Sequence, residues 1–428
     1  MSAGRDAAGT GCSMVSRRLF LAGLGATATV AACSGQGVSV FQRSGAAEPG
    51  RPTPPVGSVP DVDRTLVVLE FGGGNDSLST VVPASGVYRD LRPTTAVEDP
   101  IELDAEIGLH PELVNVADLY RRGSVAIVEG LGIAAPDLSH FVSMRRWWDG
   151  TEAPDQTGWL GRYLDAAVGY EQVLAGVSIG PGPSPALLGN SSFVVGISDA
   201  TGLASGFPSW VDDSRDFAGA WSGFAPAEIP VAELDPIRRA IAATAQAQIQ
   251  LLAGLDPLTR VMERIEVDTY SLEGQLALAG ALTASDVRPK VVYVHGNVDF
   301  DTHENQLSSH ADLMGQFDRG LGHFFEIVDK AGLSDQVLVM TASEFGRRPR
   351  DNDGGTDHGT AASHFVIGSQ VAGGRFGESP SLTRLDEEDN LRHTVDFRSL
   401  YASVLDGWFE AGSADLLGSD YERLPLFG

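Results

Sequence analysis

Carboxylates and imidazoles set among glycines are the materials of a divalent-metal site, and residues 336–368, QVLVMTASEFGRRPRDNDGGTDHGTAASHFVIG, carry them densely. Glu344, Asp357 and His358 supply hard oxygen and imidazole donors, and Gly346, Gly354, Gly355 and Gly359 let the backbone bend around them. Arg347, Arg348 and Arg350 add positive charge, so the chemistry suggested is a metal centre that handles an anion. The plain alternative is a polar surface loop with a helix-capping acid. A second cluster is HGNVDFDTHENQLSSH, residues 295–310, in which Asp301 and His303 are two apart. In extended backbone such a pair points to one side and could share an ion. His310 and His323 fall inside the following helical pattern, where a core or surface role is the expectation.

Two further stretches complete the candidates. Gly72-Gly73-Gly74-Asn75-Asp76-Ser77 makes a sharp turn after an apolar run and offers the Asp76 carboxylate, although a helix cap is the commoner reason for such an Asp. Its glycine spacing excludes a dinucleotide fingerprint. Ser139, His140 and Ser143 follow Pro136 and Asp137 at an expected helix start, where a hydroxyl is either a nucleophile beside free N–H groups or simply the cap.

The elements that must position these residues read as alternating strand and helix. Buried strands are expected at 66–71, 124–129, 174–179, 186–188, 193–197, 291–294, 337–340 and 364–367, the last two as central strands of a parallel sheet. Helical spacing covers 112–122, 158–168, 232–255, 258–283, 305–331 and a segment after Asp396. Residues 200–230 are aromatic, glycine-rich and irregular. Ligand groups in such α/β sheets collect at strand carboxyl ends, where each of these clusters falls.

Residues 1–33 read as an export signal: Arg17-Arg18 precedes fourteen uncharged residues, 19–32, too short to span a bilayer. Val30-Ala31-Ala32-Cys33 has the form of a box at which the new N-terminal cysteine is acylated, with a chance cysteine as the alternative. Residues 34–62 suit a flexible linker, and 63–428 a single α/β domain. The two cysteines, Cys12 and Cys33, lie in the signal, so metal ligands in the domain must be His, Asp, Glu or backbone oxygen. This also disfavours a redox protein. The net charge of −27 becomes about −29 without residues 1–33, a surface that repels nucleic acid and anionic membrane.

The signal together with EFGGGNDSLSTVVP (70–83), SHFVSM (139–144), GWLGRYLD (158–165), FDTHENQ (300–306), VLVMTASEFGRR (337–348), GTDHGTAASHFVIG (355–368) and HTVDFRSLY (393–401) resembles the exported bacterial family called domain of unknown function fifteen-oh-one. That family is grouped with the alkaline phosphatase and sulfatase superfamily. The resemblance implies an alkaline-phosphatase-like three-layer α/β sandwich with a mostly parallel central sheet, helices on both faces and one or two divalent ions at strand ends.

Carried over to this chain, it implies Asp76, Asp301, His303, Glu344, Asp357 and His358 as metal ligands, with Asp299 in reserve. Ser139 is the expected nucleophile, with Ser143 and Ser77 behind it, His140 or Asp357 a proton-transfer partner and Arg347 a charge stabiliser. Glu344-Phe345 stands where the superfamily has Asp-His, which removes a histidine from the second ion site. The expected function is an exported metal-dependent hydrolase of phosphate or sulfate esters using Zn, Mg, Mn or Ca; the alternative is a non-catalytic cell-envelope binding or assembly protein that keeps the fold. Expected partners are a small-molecule or envelope ester and, during export, the twin-arginine translocase, with membrane contact through a lipid on Cys33. The location would be periplasmic, extracellular or lipid-anchored.

Overall fold

The computed structural model describes residues 55–151, 157–169, 172, 174–197, 270–296 and 298–428, and the backbone alone of 28–29, 38–41 and 43–44. The signal apart from the backbone of 28–29, Cys33, most of the expected linker, residues 200–230, the helical stretch 232–255 and the start of 258–283 lie outside the described residues.

A 10-stranded sheet forms the middle layer. Its strands in chain order are β1 (Val38–Phe41), β2 (Thr65–Glu70), β3 (Val125–Gly132), β4 (Gly176–Ile179), β5 (Val194–Ile197), β6 (Val291–Val294), β7 (Val337–Ala342), β10 (Ala362–Ile367), β11 (Gly374–Gly377) and β12 (Val395–Asp396). The hairpin strands β8 (Arg347–Asp351) and β9 (Thr356–His358) stand apart from it. Across the sheet the order is β11-β3-β10-β7-β2-β6-β4-β5-β1, with β12 also on β3. Only β10 and β1 run against the other strands of this sheet.

The fold class is therefore the expected one, a mixed α/β architecture around a large, mostly parallel sheet. β2 shows why it forms: all six of its residues are buried, as a strand covered on both faces requires. Val67 and Leu69 face one layer of core, Leu66 and Val68 the other. Helices α4 (Leu272–Thr283) and α5 (Gln306–Lys330) cover the first through Leu276, Met314, Phe317 and Phe324. Helices α3 (Trp159–Ala167) and α6 (Phe397–Gly407) cover the second, where Trp159 and Tyr401 stack with ring centroids 4.1 Å apart.

Two expectations are corrected. β10 is antiparallel to both neighbours rather than a parallel central strand; parallel neighbours need a long crossover, usually helical, whereas the chain here returns through a hairpin. Residues around Ala186 form a 3-10 turn, Pro185–Leu187, because Ser184 caps it and Pro185 removes a ladder donor. The expected helix starts at Ser139 and Asp396 are found, opening α2 (His140–Asp149) and α6, with the Asp396 carboxylate accepting from Arg398 N at 2.9 Å.

Candidate metal centre

β2, β3, β6 and β7 point the same way, so the segments that leave their carboxyl ends gather at one edge of the sheet. From β3 comes α2 with His140, from β6 the 295–305 loop with Asp301 and His303, and from β7 Glu344 and the hairpin. Within the hairpin Arg347 and His358 are cross-strand partners. The glycine turn after β2 is laced to this loop: Gly73 N donates to Glu344 Oε1 at 2.9 Å and Asn75 N to Ser343 Oγ at 2.9 Å. Gly74 has φ +77°, and a Cβ there would run into the Phe345 ring, so the turn needs glycine for both conformation and space.

His140, Asp301 and His358 bring one ligand atom each to within 4.8 Å of one another. The ring orientations are fixed from behind. His140 Nδ1 lies 2.8 Å from Glu344 Oε1, and His358 Nδ1 lies 2.8 Å from the Leu138 carbonyl. Both acceptors require Nδ1–H, which leaves each Nε2 as a lone pair. Those lone pairs face one aspartate, His358 Nε2 at 3.1 Å from Asp301 Oδ1 and His140 Nε2 at 3.4 Å from Oδ2. His303 Nε2 joins them, 3.0 Å from both His358 Nε2 and Asp301 Oδ1.

Nitrogen lone pairs converging on a carboxylate repel unless a proton or cation lies between, so the donor set fits a divalent ion bound by imidazole and carboxylate, with outer partners that orient the rings. The hydrogen bond with Glu344, outweighing partial burial, raises the His140 imidazole above its ordinary value. Burial pushes Asp301 up, but Arg347 prevails and holds it down at about 2.

Arg347 is fully buried and committed. It donates to the carbonyls of Gly74 at 2.7 Å, Thr356 at 2.8 Å and Phe300 at 3.2 Å, to that of Gly73, and to Asp301 Oδ1 at 2.5 Å. It positions Asp301 and, with its side chain wholly buried, is not part of the cleft lining where an anion would sit. Glu344 and Asp357 stand behind imidazoles, Asp357 Oδ1 being 3.5 Å from His303 Nδ1. Asp76 is elsewhere: fully buried, it caps the short helix α1 (Ser77–Thr80) and accepts from Arg92 Nη2 at 3.0 Å and Ser79 Oγ at 2.7 Å, with Gln306 also on it. Burial opposes its ionisation, yet Arg92 brings the carboxyl down to about 2.

The cleft beside the histidines is lined by His140, Asp301 and Glu344 among others, and among the described residues no Ser, Thr or Cys is in that lining. Ser139 precedes α2 with its N–H on Asp137 Oδ1 at 2.8 Å, and Ser143 Oγ donates to the Asp137 carbonyl. Ser77 is buried in α1. His310 is buried with Nε2 3.0 Å from Asn75 Oδ1.

Sequence reasoning did not single out Glu70, at the end of β2. Burial, outweighing hydrogen bonds from Trp148 and Tyr293, pushes this carboxyl up to about 7. A lone acid closing the run TLVVLE was the available signal.

Residues 243–411 match the family model described as "Protein of unknown function (DUF1501)". The family resemblance read from the motifs holds over that stretch. No curated protein sequence matches the chain. Solved structures with some backbone likeness include a protein in the alkaline phosphatase superfamily from Vibrio parahaemolyticus, 11% identical, covering 88% of this chain and 72% of that one, TM-score 0.35. The sulfatase PsFucS1 from Pseudoalteromonas sp. is 11% identical over 83% and 68% of the two chains, TM-score 0.33. The phosphonate monoester hydrolase of Agrobacterium radiobacter is 11% identical over 84% and 78%, TM-score 0.33. Their backbones diverge too far from this chain for any role to be transferred.

Proposed function

We propose that the protein is an exported metal-dependent hydrolase of phosphate or sulfate esters. The observation that carries this reading is the convergence of the His140 and His358 Nε2 atoms on Asp301, each ring pinned through Nδ1. His140, Asp301 and His358 would hold a divalent ion of the Zn, Mn, Mg or Ca class, with His303 beside them. When bound there, the ion supplies Lewis-acid polarisation of an ester oxygen and lowers the pKa of water.

The chain's own contribution is preorganisation. Glu344 keeps the proton on His140 Nδ1, Leu138 does the same for His358, and Arg347 fixes Asp301 through Oδ1, the oxygen that also faces His303 and His358, while Oδ2 is left toward His140. Since among the described residues no hydroxyl lines the cleft, the attacking group in this reading is water rather than Ser139. Asp299, exposed in the cleft lining, is placed to accept its proton. Twin-arginine export and a lipid on Cys33 belong to the same proposal and rest on the N-terminal motif.

The missing hydroxyl also favours one second reading, a non-catalytic envelope binding or assembly protein that retains the fold. The deciding experiment is a screen of 4-nitrophenyl phosphate and sulfate with chelator-stripped protein resupplied with each ion. Turnover that needs the ion and is lost in His358→Ala supports the hydrolase. Stoichiometric ion with neither ester turned over moves the assignment to the second reading.

A further inference from the structure

One wall of the cleft carries no hydrogen-bonding capacity. Phe141, Met144 and Trp148 lie at i, i+3 and i+7 on α2, a spacing that puts them on one helix face. Together they border a cleft of about 330 Å³ whose opposite wall is His140, Asp301 and Glu344. That volume is within the range of small-ligand sites, about 300–1,000 Å³.

The polar edge of Trp148 is turned away from the cleft's needs: its Nε1–H donates to Glu70 Oε2 at 2.7 Å, and Tyr293 Oη donates to the same oxygen at 2.7 Å. What the indole offers a ligand is carbon. Phe141 stands at the wall 88% exposed, an aromatic face without cover. Among the described residues neither Lys nor Arg lines the cleft, and Arg347 is wholly buried behind Asp301, so a second anionic group would find no partner there. Sugar hydroxyls placed against this wall would lose water without gaining a partner.

We propose that the Phe141–Met144–Trp148 face receives the alcohol part of the ester and selects an uncharged aromatic one. The inference rests on the hydrolase reading and names its substrate class. An aromatic ring would stack on Trp148 and Phe141 while the ester oxygens face His140 and Asp301.

The test compares benzyl phosphate with glucose 6-phosphate, both esters of primary alcohols, on metal-loaded protein. Wild type favours benzyl phosphate by about 100-fold in kcat/KM, and Phe141→Ala and Trp148→Ala lower that preference about 10-fold each, mainly through the KM for benzyl phosphate. Trp148→Phe keeps the preference, which separates the ring's surface from its bond to Glu70; Phe141, being exposed, can be truncated without threat to the fold. Equal or better use of glucose 6-phosphate by wild type overturns the proposal. If neither ester is turned over, the hydrolase reading stands or falls by the phosphate and sulfate screen above, and binding of 2-naphthol followed by tryptophan fluorescence decides the cleft alone. Binding that Phe141→Ala weakens about 10-fold or more sustains the aromatic site, and no binding to wild type ends it.

Discussion

The Nε2 atoms of His303 and His358 face each other at 3.0 Å, and Asp301 Oδ1 lies 3.0 Å from the first and 3.1 Å from the second. Such an approach is repulsive unless a proton or a cation lies between these groups, and the proposed divalent ion would be that cation.

The first expectation concerns that cation. Protein purified without chelator should hold a divalent ion, measured by elemental analysis, and His358→Ala and His140→Ala should lose it. Glu344→Ala should weaken binding about 10–100-fold rather than abolish it, because Glu344 acts through His140. Equal ion content in wild type and all three variants would remove the centre.

Asp76 separates a structural acid from a ligand. Asp76→Asn should leave ion content unchanged yet destabilise the fold by about 3–5 kcal/mol, since it strands the buried Arg92 guanidinium. With the folded carboxyl at about 2 against an ordinary 3.8, its contribution is full above pH 3.8 and disappears as pH falls toward 2, about 2–3 kcal/mol in all. Acid unfolding of wild type should show this loss, and Asp76→Asn should lack it.

These two aspartates also show what could be read from the chain. The β2, β6 and β7 strands follow from unbroken apolar runs, and the clusters after them fall at one sheet edge, so Asp301, His303 and His358 were legible as a group. Asp76 was ambiguous because its partner Arg92 comes sixteen residues later with no periodicity linking them. Arg347 reads as an anion binder by type, while its real partners are mostly backbone carbonyls, which have no signature in a sequence. The direction of β10 was hidden for a similar reason: a buried strand has the same composition whichever way it runs.

Glu70 predicts the opposite pH slope from Asp76. Its carboxyl is raised from 4.5 to about 7 in the fold, so between those values the folded state keeps a proton the unfolded chain has released. Its favourable contribution is complete below pH 4.5 and is lost as pH rises through 7, about 3 kcal/mol in total. Glu70→Gln keeps oxygen for Trp148 and Tyr293 without the ionisation. The difference in urea-unfolding free energy between variant and wild type should therefore grow in the variant's favour from pH 5 to pH 8; a constant difference would refute the buried acid.

Ser139 tests whether chemistry runs through a covalent intermediate. Its hydroxyl makes no cap to α2 and does not line the cleft, so Ser139→Ala should change kcat by less than about 3-fold and stability by less than about 1 kcal/mol. Asp299→Asn, which removes the exposed carboxylate of the cleft, should lower kcat by about 100-fold with KM little changed, in line with loss of a general base. The reverse result, in which Ser139→Ala abolishes turnover and Asp299→Asn does not, would mean that α2 shifts to bring the hydroxyl to the ester. The direct attack of water would then be wrong, although the histidine and aspartate centre would stand.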